Sequence, residues 1–325
     1  MVSAKNRNLI EFICLFTILS YLYYIEYMNK NYEHLLVNTL DDNNHLVFYK
    51  IMKYQVPHNY PYFLFTKTTQ QKQKDILRAQ EFPPDEQKYS RDKKNPYIDD
   101  FIHYIDKFKR LYQSIPFIQS IYLCNSITFN ALKENSDIDL FIVTKEWSLW
   151  RARFWSAVLF FVFWLKRGKL RGSKKKFCLS FYVTQSHQNL YNIMLPKNDI
   201  YFIYRLAHLV PIYQETPENI YKHNKRLESV LPNFPGRHCI DIGLTPIQWT
   251  NTFKKITEFI FGGLFGYVIE YIIKTIRLPI VIYKAKGLWD KWWGIIINKH
   301  MLKFHMDIRK KVHLLYIMYK KRMNT

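Results

Sequence analysis

The chain has 325 residues, 48% of them hydrophobic, and a formal charge of +22 at pH 7, which suits two or three domains with sizeable cores. Only 9 glycines are present, and no Gly-x-Gly-x-x-Gly or Gly-Lys-Ser/Thr run occurs, so the Gly-rich dinucleotide and Walker-type phosphate loops are excluded. The charge favours polyanionic partners such as nucleic acid, an anionic membrane surface or nucleotide phosphates, although a Lys-, Asn-, Ile-, Tyr- and Phe-rich composition of AT-biased type accounts for part of it.

Leu9 to Asn29, Tyr32 to Leu40 and His45 to Gln55 read as helices, and Tyr62 to Thr66 as a short strand. Residues 1–66 therefore read as a winged-helix-like unit, either a nucleic-acid contact or a packing module. Residues 67–96 are a charged helix and linker containing Pro83-Pro84. Three apolar stretches bear on membrane contact. Leu9 to Ile25 carries Glu11, Phe154 to Leu165 spans only 12 residues, and Ile256 to Ile273 carries Glu258 and Glu270. A bilayer span needs about 20 apolar residues, so all three read as buried helices. The expected location is cytoplasmic, with membrane association as the alternative. Cys14, Cys124, Cys178 and Cys239 form no Cys-x-x-Cys pair and read as reduced residues.

In residues 97–215, apolar Ile98, Phe101, Ile102, Ile105, Phe108 and Leu111 recur at helical spacing, predicting a helix over Ile98 to Ser114. Phe117 to Cys124 is strand one and Ile127 to Lys133 a short helix. Ile138 to Val143 is strand two, Trp147 to Arg167 a long helix, and Phe177 to Val183 strand three. Between the first two strands lies the most specific pattern of the chain. Cys124 is followed by Asn125-Ser126, then by ten residues, then by Asp137-Ile138-Asp139. Two carboxylates at i and i+2 of a strand share a face and suit one hard divalent cation held jointly with substrate phosphates.

This pattern resembles the nucleotidyltransferase superfamily of the DNA polymerase beta type, whose signature is an apolar residue, Gly-Ser or Gly-Gly, a spacer of about ten residues and Asp-apolar-Asp/Glu. The resemblance implies a mixed α/β (α+β) fold with a small mixed sheet. It implies that Asp137 and Asp139 hold Mg²⁺ or Mn²⁺, and that Asn125 and Ser126 meet the NTP substrate, Ser126 at its phosphates. It also implies transfer of a nucleoside monophosphate to the hydroxyl of an unknown acceptor, whether small molecule, protein or RNA. Asn125 stands where the family has Gly; Asn is the next most tolerant residue for positive φ. Strand three carries no acid where the family often has a third carboxylate, and Ser180 is the expected occupant. These two departures support the alternative of a catalytically degenerate fold that binds nucleotide or nucleic acid. A bacterial subgroup of nucleotidyltransferase-domain proteins is similar over Tyr62 to Phe65, Ser136 to Val143, Trp150 to Arg153, Phe177 to Ser180 and Leu302 to Arg309.

Further phosphate contacts are expected from Arg151, near the start of the long helix, and from Lys174 in the basic run Lys166 to Lys176. After strand three, Tyr201 to His208 reads as a helix and Val210 to Tyr213 as an extended piece. Residues 216–325 read as a helical C-terminal region. It contains a long helical stretch from Thr245 to Tyr283, stepped at Gly262-Gly263 and kinked at Pro279, and a basic helical tail over Gly287 to Arg322 with Trp289, Trp292 and Trp293.

Overall fold

A computed structural model of the chain describes residues 95–304, except 130, 168–173, 195–198, 217–219, 221, 225–243, 245, 249–250 and 287–294. The expected winged-helix-like unit, all but the end of the charged linker, Leu9 to Ile25, Cys14, Cys239 and the tail tryptophans lie outside the described residues. What is described is a mixed α/β structure built on one mixed sheet of six strands.

The sheet follows from runs rich in β-branched and aromatic residues, which suit a pleated surface. Its strands are β1 (Ile118–Cys124), β2 (Ile138–Thr144), β3 (Phe177–Thr184), β4 (Val210–Gln214), β5 (Ile296–Ile297) and β6 (Met301–Lys303), in the order β4-β1-β2-β3-β6-β5. Only β2 and β3 are parallel. A parallel pair needs a crossover, and α3 (Leu149–Val162) supplies it. Every residue of β1 and β2 is buried, so alternation alone does not reveal their two faces. Packing does: Ile138, Leu140 and Ile142 join the main core with Ile121, Leu123 and Leu179. Asp139 and Phe141 point the other way, as strand alternation requires.

The expected helix over Ile98 to Ser114 is two helices, α1 (Ile98–Lys107) and α2 (Lys109–Ser114), which meet at non-helical Phe108. The expected helix over Ile127 to Lys133 does not form. Asn125–Ile127 make one 3₁₀ turn, and no α-helix starts there among the described residues. Asn125 itself sits at φ 66, and Ile127, Thr128 and Phe129 are β-branched or aromatic residues that lose side-chain freedom in a helix. Ser126 therefore stands at no α-helix N-terminus among the described residues.

The C-terminal region is not wholly helical. Residues 295–297 are all isoleucine, and Ile296 and Ile297 form β5, which pairs with β6. The Asn298 side chain accepts from the backbone N–H groups of His300 and Met301 and shapes the turn between them. β6 then joins β3, so this segment completes the same sheet.

The remaining α-helices among the described residues are α4 (Ile200–Ala207), α5 (Thr252–Ile260) and α6 (Gly263–Lys286). α5 and α6 meet at an 86° bend, where Gly263 adopts φ 55, a conformation that glycine takes without strain. No single helix among the described residues is long and apolar enough to cross a membrane. The expectation that Phe154 to Leu165 and Ile256 to Ile273 are buried is corrected: Phe161, Val162, Phe163 and Trp164 are exposed, as are Ile256, Phe259, Leu264, Phe265 and Tyr271.

Candidate functional site

The turn Lys133 to Ser136 closes on itself: the Ser136 N–H donates to the Lys133 carbonyl at 2.9 Å, and Ser136 Oγ accepts from the Lys133 N–H at 2.8 Å. The chain leaves this turn straight into β2, with Asp137 just before the strand and Asp139 in it. The i, i+2 spacing places both acids on one face. Parallel pairing with β3 then sets Cys178 beside Asp139. One ligand atom each of Asp137, Asp139 and Cys178 lies within 4.8 Å of the other two.

Asn125 closes one side of this cluster. Its φ of 66 turns the chain at the end of β1, and its Nδ2 donates to Asp139 Oδ2 at 2.6 Å. The side chain thus approaches the carboxylate where glycine would leave a gap. Ser126 follows, half-buried, at the mouth of the same turn. Asp139 is 8% exposed, whereas the Asp137 side chain is 20% exposed and accepts from Arg167 Nη1 at 2.5 Å.

Cys178 takes the place beside Asp139, while Ser180, the residue expected to replace the third acid, lies one step further along the strand face. Cys178 Sγ is 3.4 Å from Ser180 Oγ. Burial, reinforced by the neighbouring Asp139 charge, pushes the Cys178 thiol up to about 12. Burial also raises Cys124 well above the ordinary thiol range. Both sulfurs are therefore protonated at neutral pH in the metal-free protein. A bound cation would reverse this for Cys178, because a coordinated thiol gives up its proton. Two carboxylates and a thiol form an adequate but mixed donor set: the oxygens suit Mg²⁺ and Mn²⁺, and the sulfur favours softer ions.

Arg205, on α4, is a cation near Cys124 at the end of β1 that the sequence reading overlooked. Its charge reaches Cys124, it stacks on Tyr201, and it makes no ion pair among the described residues. Arg167, a member of the basic run, is the cation on Asp137. Of the rest of that run, residues 168–173 lie outside the described residues. Lys174 bonds exposed Glu134 at 2.7 Å, at the rim of the turn that leads to Asp137.

Arg151 is placed elsewhere. α3 starts after the C-terminal end of β2, whereas the acids stand at its N-terminal end, about 20 Å away by strand rise. Arg151 is 5% exposed and pairs with Glu270 at 3.3 Å. It also donates to the Trp147 and Phe261 carbonyls and lies over the Phe117 ring. Gly266 makes this possible, since a Cβ there would collide with the guanidinium. The phosphate contact expected of Arg151 rests on closeness to the acids along the chain, not in space. A crossover helix returning to a parallel strand begins at the opposite end of the sheet. Comparison with protein-family models, with curated proteins and with solved structures found no match.

Proposed function

We propose that the Asp137–Asp139 face is the centre of a nucleotidyltransferase that moves a nucleoside monophosphate from an NTP to an acceptor hydroxyl. The observation that carries the reading is the convergence of Asp137, Asp139 and Cys178 within 4.8 Å, next to a positive-φ turn at Asn125-Ser126. Asp137, Asp139 and Cys178 would hold a Mg²⁺ or Mn²⁺ ion, which neutralises charge on the phosphates when bound. Arg167 and Arg205 supply positive charge to the substrate's phosphates, and the Ser126 hydroxyl donates to a phosphate oxygen. The acceptor oxygen bonds to the α-phosphorus as the bond to pyrophosphate breaks. No third carboxylate joins the pair among the described residues, so the acceptor's proton passes to substrate phosphate or to water.

A second reading has its own observation. The Asn125 amide occupies Asp139 Oδ2, and a protonated thiol replaces an acid, as a fold that binds nucleotide without turnover would tolerate. Incubation of the purified chain with α-labelled NTP and Mg²⁺ or Mn²⁺ separates the two. Label transfer that Asp139→Asn abolishes supports the transferase. Calorimetric NTP binding without transfer supports the binding module, and absence of both sinks the site.

A further inference from the structure

Helices α5 and α6 carry a large apolar surface that no other described element covers. Phe259 is 89% and Leu264 86% exposed, and they flank the 86° corner between the helices. Phe265, Tyr271, Ile272 and Ile276 continue the exposure along α6. Monomeric proteins rarely expose contiguous apolar patches of more than a few hundred Å² without a use for them.

The charges on these helices are sorted. Both acids turn inward: Glu258 bonds Lys145 and the Phe117 N–H, and Glu270 bonds the N–H groups of Trp150 and Arg151. Among the described side chains the exposed charges are Lys255, Lys274 and Arg277, all cations. Beside the patch, between α3 and α6, lies a pocket of about 110 Å³ lined by Arg153, Lys166 and Arg277 together with Trp150, Phe154 and Ile280. No acid lines it. Arg153 donates to the Leu179 carbonyl at 3.0 Å, and neither Arg153 nor Arg277 makes an ion pair among the described residues.

We propose that the α5–α6 corner inserts into the surface of an anionic phospholipid bilayer and that the Arg153–Arg277 pocket receives a lipid phosphate. An apolar face with cationic flanks lies in the plane of such a surface, its aliphatic and aromatic side chains entering the acyl boundary. Arginine forks bind phosphate oxygens with paired donors. Nucleic acid would satisfy the cations but leaves the aliphatic corner in water, so the lipid surface accounts for both features. This inference is independent of the chemistry proposed at Asp137 and Asp139.

The test is flotation of the full chain with vesicles of phosphatidylcholine alone or mixed with phosphatidylglycerol. Wild type is expected to float with the mixed vesicles and to remain bound in part at about 1 M salt, where the Debye length falls to about 3 Å. The Phe259→Asp/Leu264→Asp double variant should bind about tenfold more weakly or worse with an unchanged melting temperature, because both side chains already face solvent. Arg277→Gln should weaken binding to the mixed vesicles about fivefold, the effect of one cation near an anionic surface. The proposal is overturned if wild type fails to float. It is overturned equally if binding disappears at high salt and is indifferent to the double variant, which indicates bulk charge. An oligomer that the double variant dissociates, with no flotation of wild type, would assign the corner to a second copy instead.

Discussion

Asn125 Nδ2 donates to Asp139 Oδ2 at 2.6 Å from a residue held at φ 66. One side chain thus satisfies a left-handed turn and occupies part of the carboxylate that a cation would use. Asn125→Gly keeps the turn without strain and removes the amide from Asp139 Oδ2. We expect it to raise Mn²⁺ affinity while lowering stability by about 1–3 kcal/mol through the lost charged hydrogen bond. Asn125→Val loses the bond and adds about 1–2 kcal/mol of left-handed strain. Calorimetry and urea unfolding of the two variants check the ordering. Equal Mn²⁺ affinity in wild type and Asn125→Gly would show that the amide does not compete with the ion.

The Cys178 thiol beside Asp139 predicts a selective metal effect. Cys178→Ser should weaken Cd²⁺ or Zn²⁺ binding by about tenfold or more and leave Mg²⁺ binding nearly unchanged, because sulfur contributes mainly to softer ions. Cys178→Asp should shift preference toward Mg²⁺. Parallel titrations with the three ions decide it, and identical profiles for all variants would remove Cys178 from the ligand set.

Glu270 meets the first N–H groups of α3 and the guanidinium of Arg151. The helix depends on it because Ser148, at the cap position, donates its hydroxyl to the Lys145 carbonyl. Removing one partner of such a buried pair costs about 3–5 kcal/mol. Arg151→Met and Glu270→Gln should each lower unfolding free energy by about that much. Nucleotide affinity should stay unchanged, since Arg151 stands at the far end of β2 from the acids. A nucleotide defect in correctly folded Arg151→Met would restore the phosphate role expected from the sequence.

Lys254 is fully buried and donates to the Tyr213 hydroxyl at 2.8 Å and to Glu215 at 3.2 Å. Burial outweighs its acidic neighbours and lowers its pKa to about 8. Between about pH 8 and the ordinary lysine range of about 10.4, the unfolded chain binds the extra proton, so stability rises with pH across that window. Lys254→Met should flatten the rise. Denaturant midpoints at pH 7.5, 8.5 and 9.5 test the slope, and parallel curves for the two proteins would contradict the assignment.

Much of the sheet was legible because strand signals are local. The apolar runs at Ile118–Cys124, Ile138–Thr144 and Phe177–Thr184 announce their strands within a residue or two. The β5–β6 hairpin was missed, although three consecutive isoleucines before Asn298 were its signal. Surrounding basic helical periodicity outweighed a strand of only two residues. The helix expected after Ser126 failed for the opposite reason: a weak local preference yielded to the turn at Asn125.

By itself the sequence determined that Asp137 and Asp139 share a face, because a strand's two-residue period belongs to its own backbone. Tertiary structure alone decided that Cys178 rather than Ser180 stands beside Asp139, since that follows from the register between strands 39 positions apart. It also decided that Arg167 reaches Asp137 while Arg151 is carried to the other end of the sheet, and that α6 keeps an apolar side that no other described element covers. These outcomes depend on where a crossover begins and on what packs against a helix, and neither is encoded in the local periodicity of the chain.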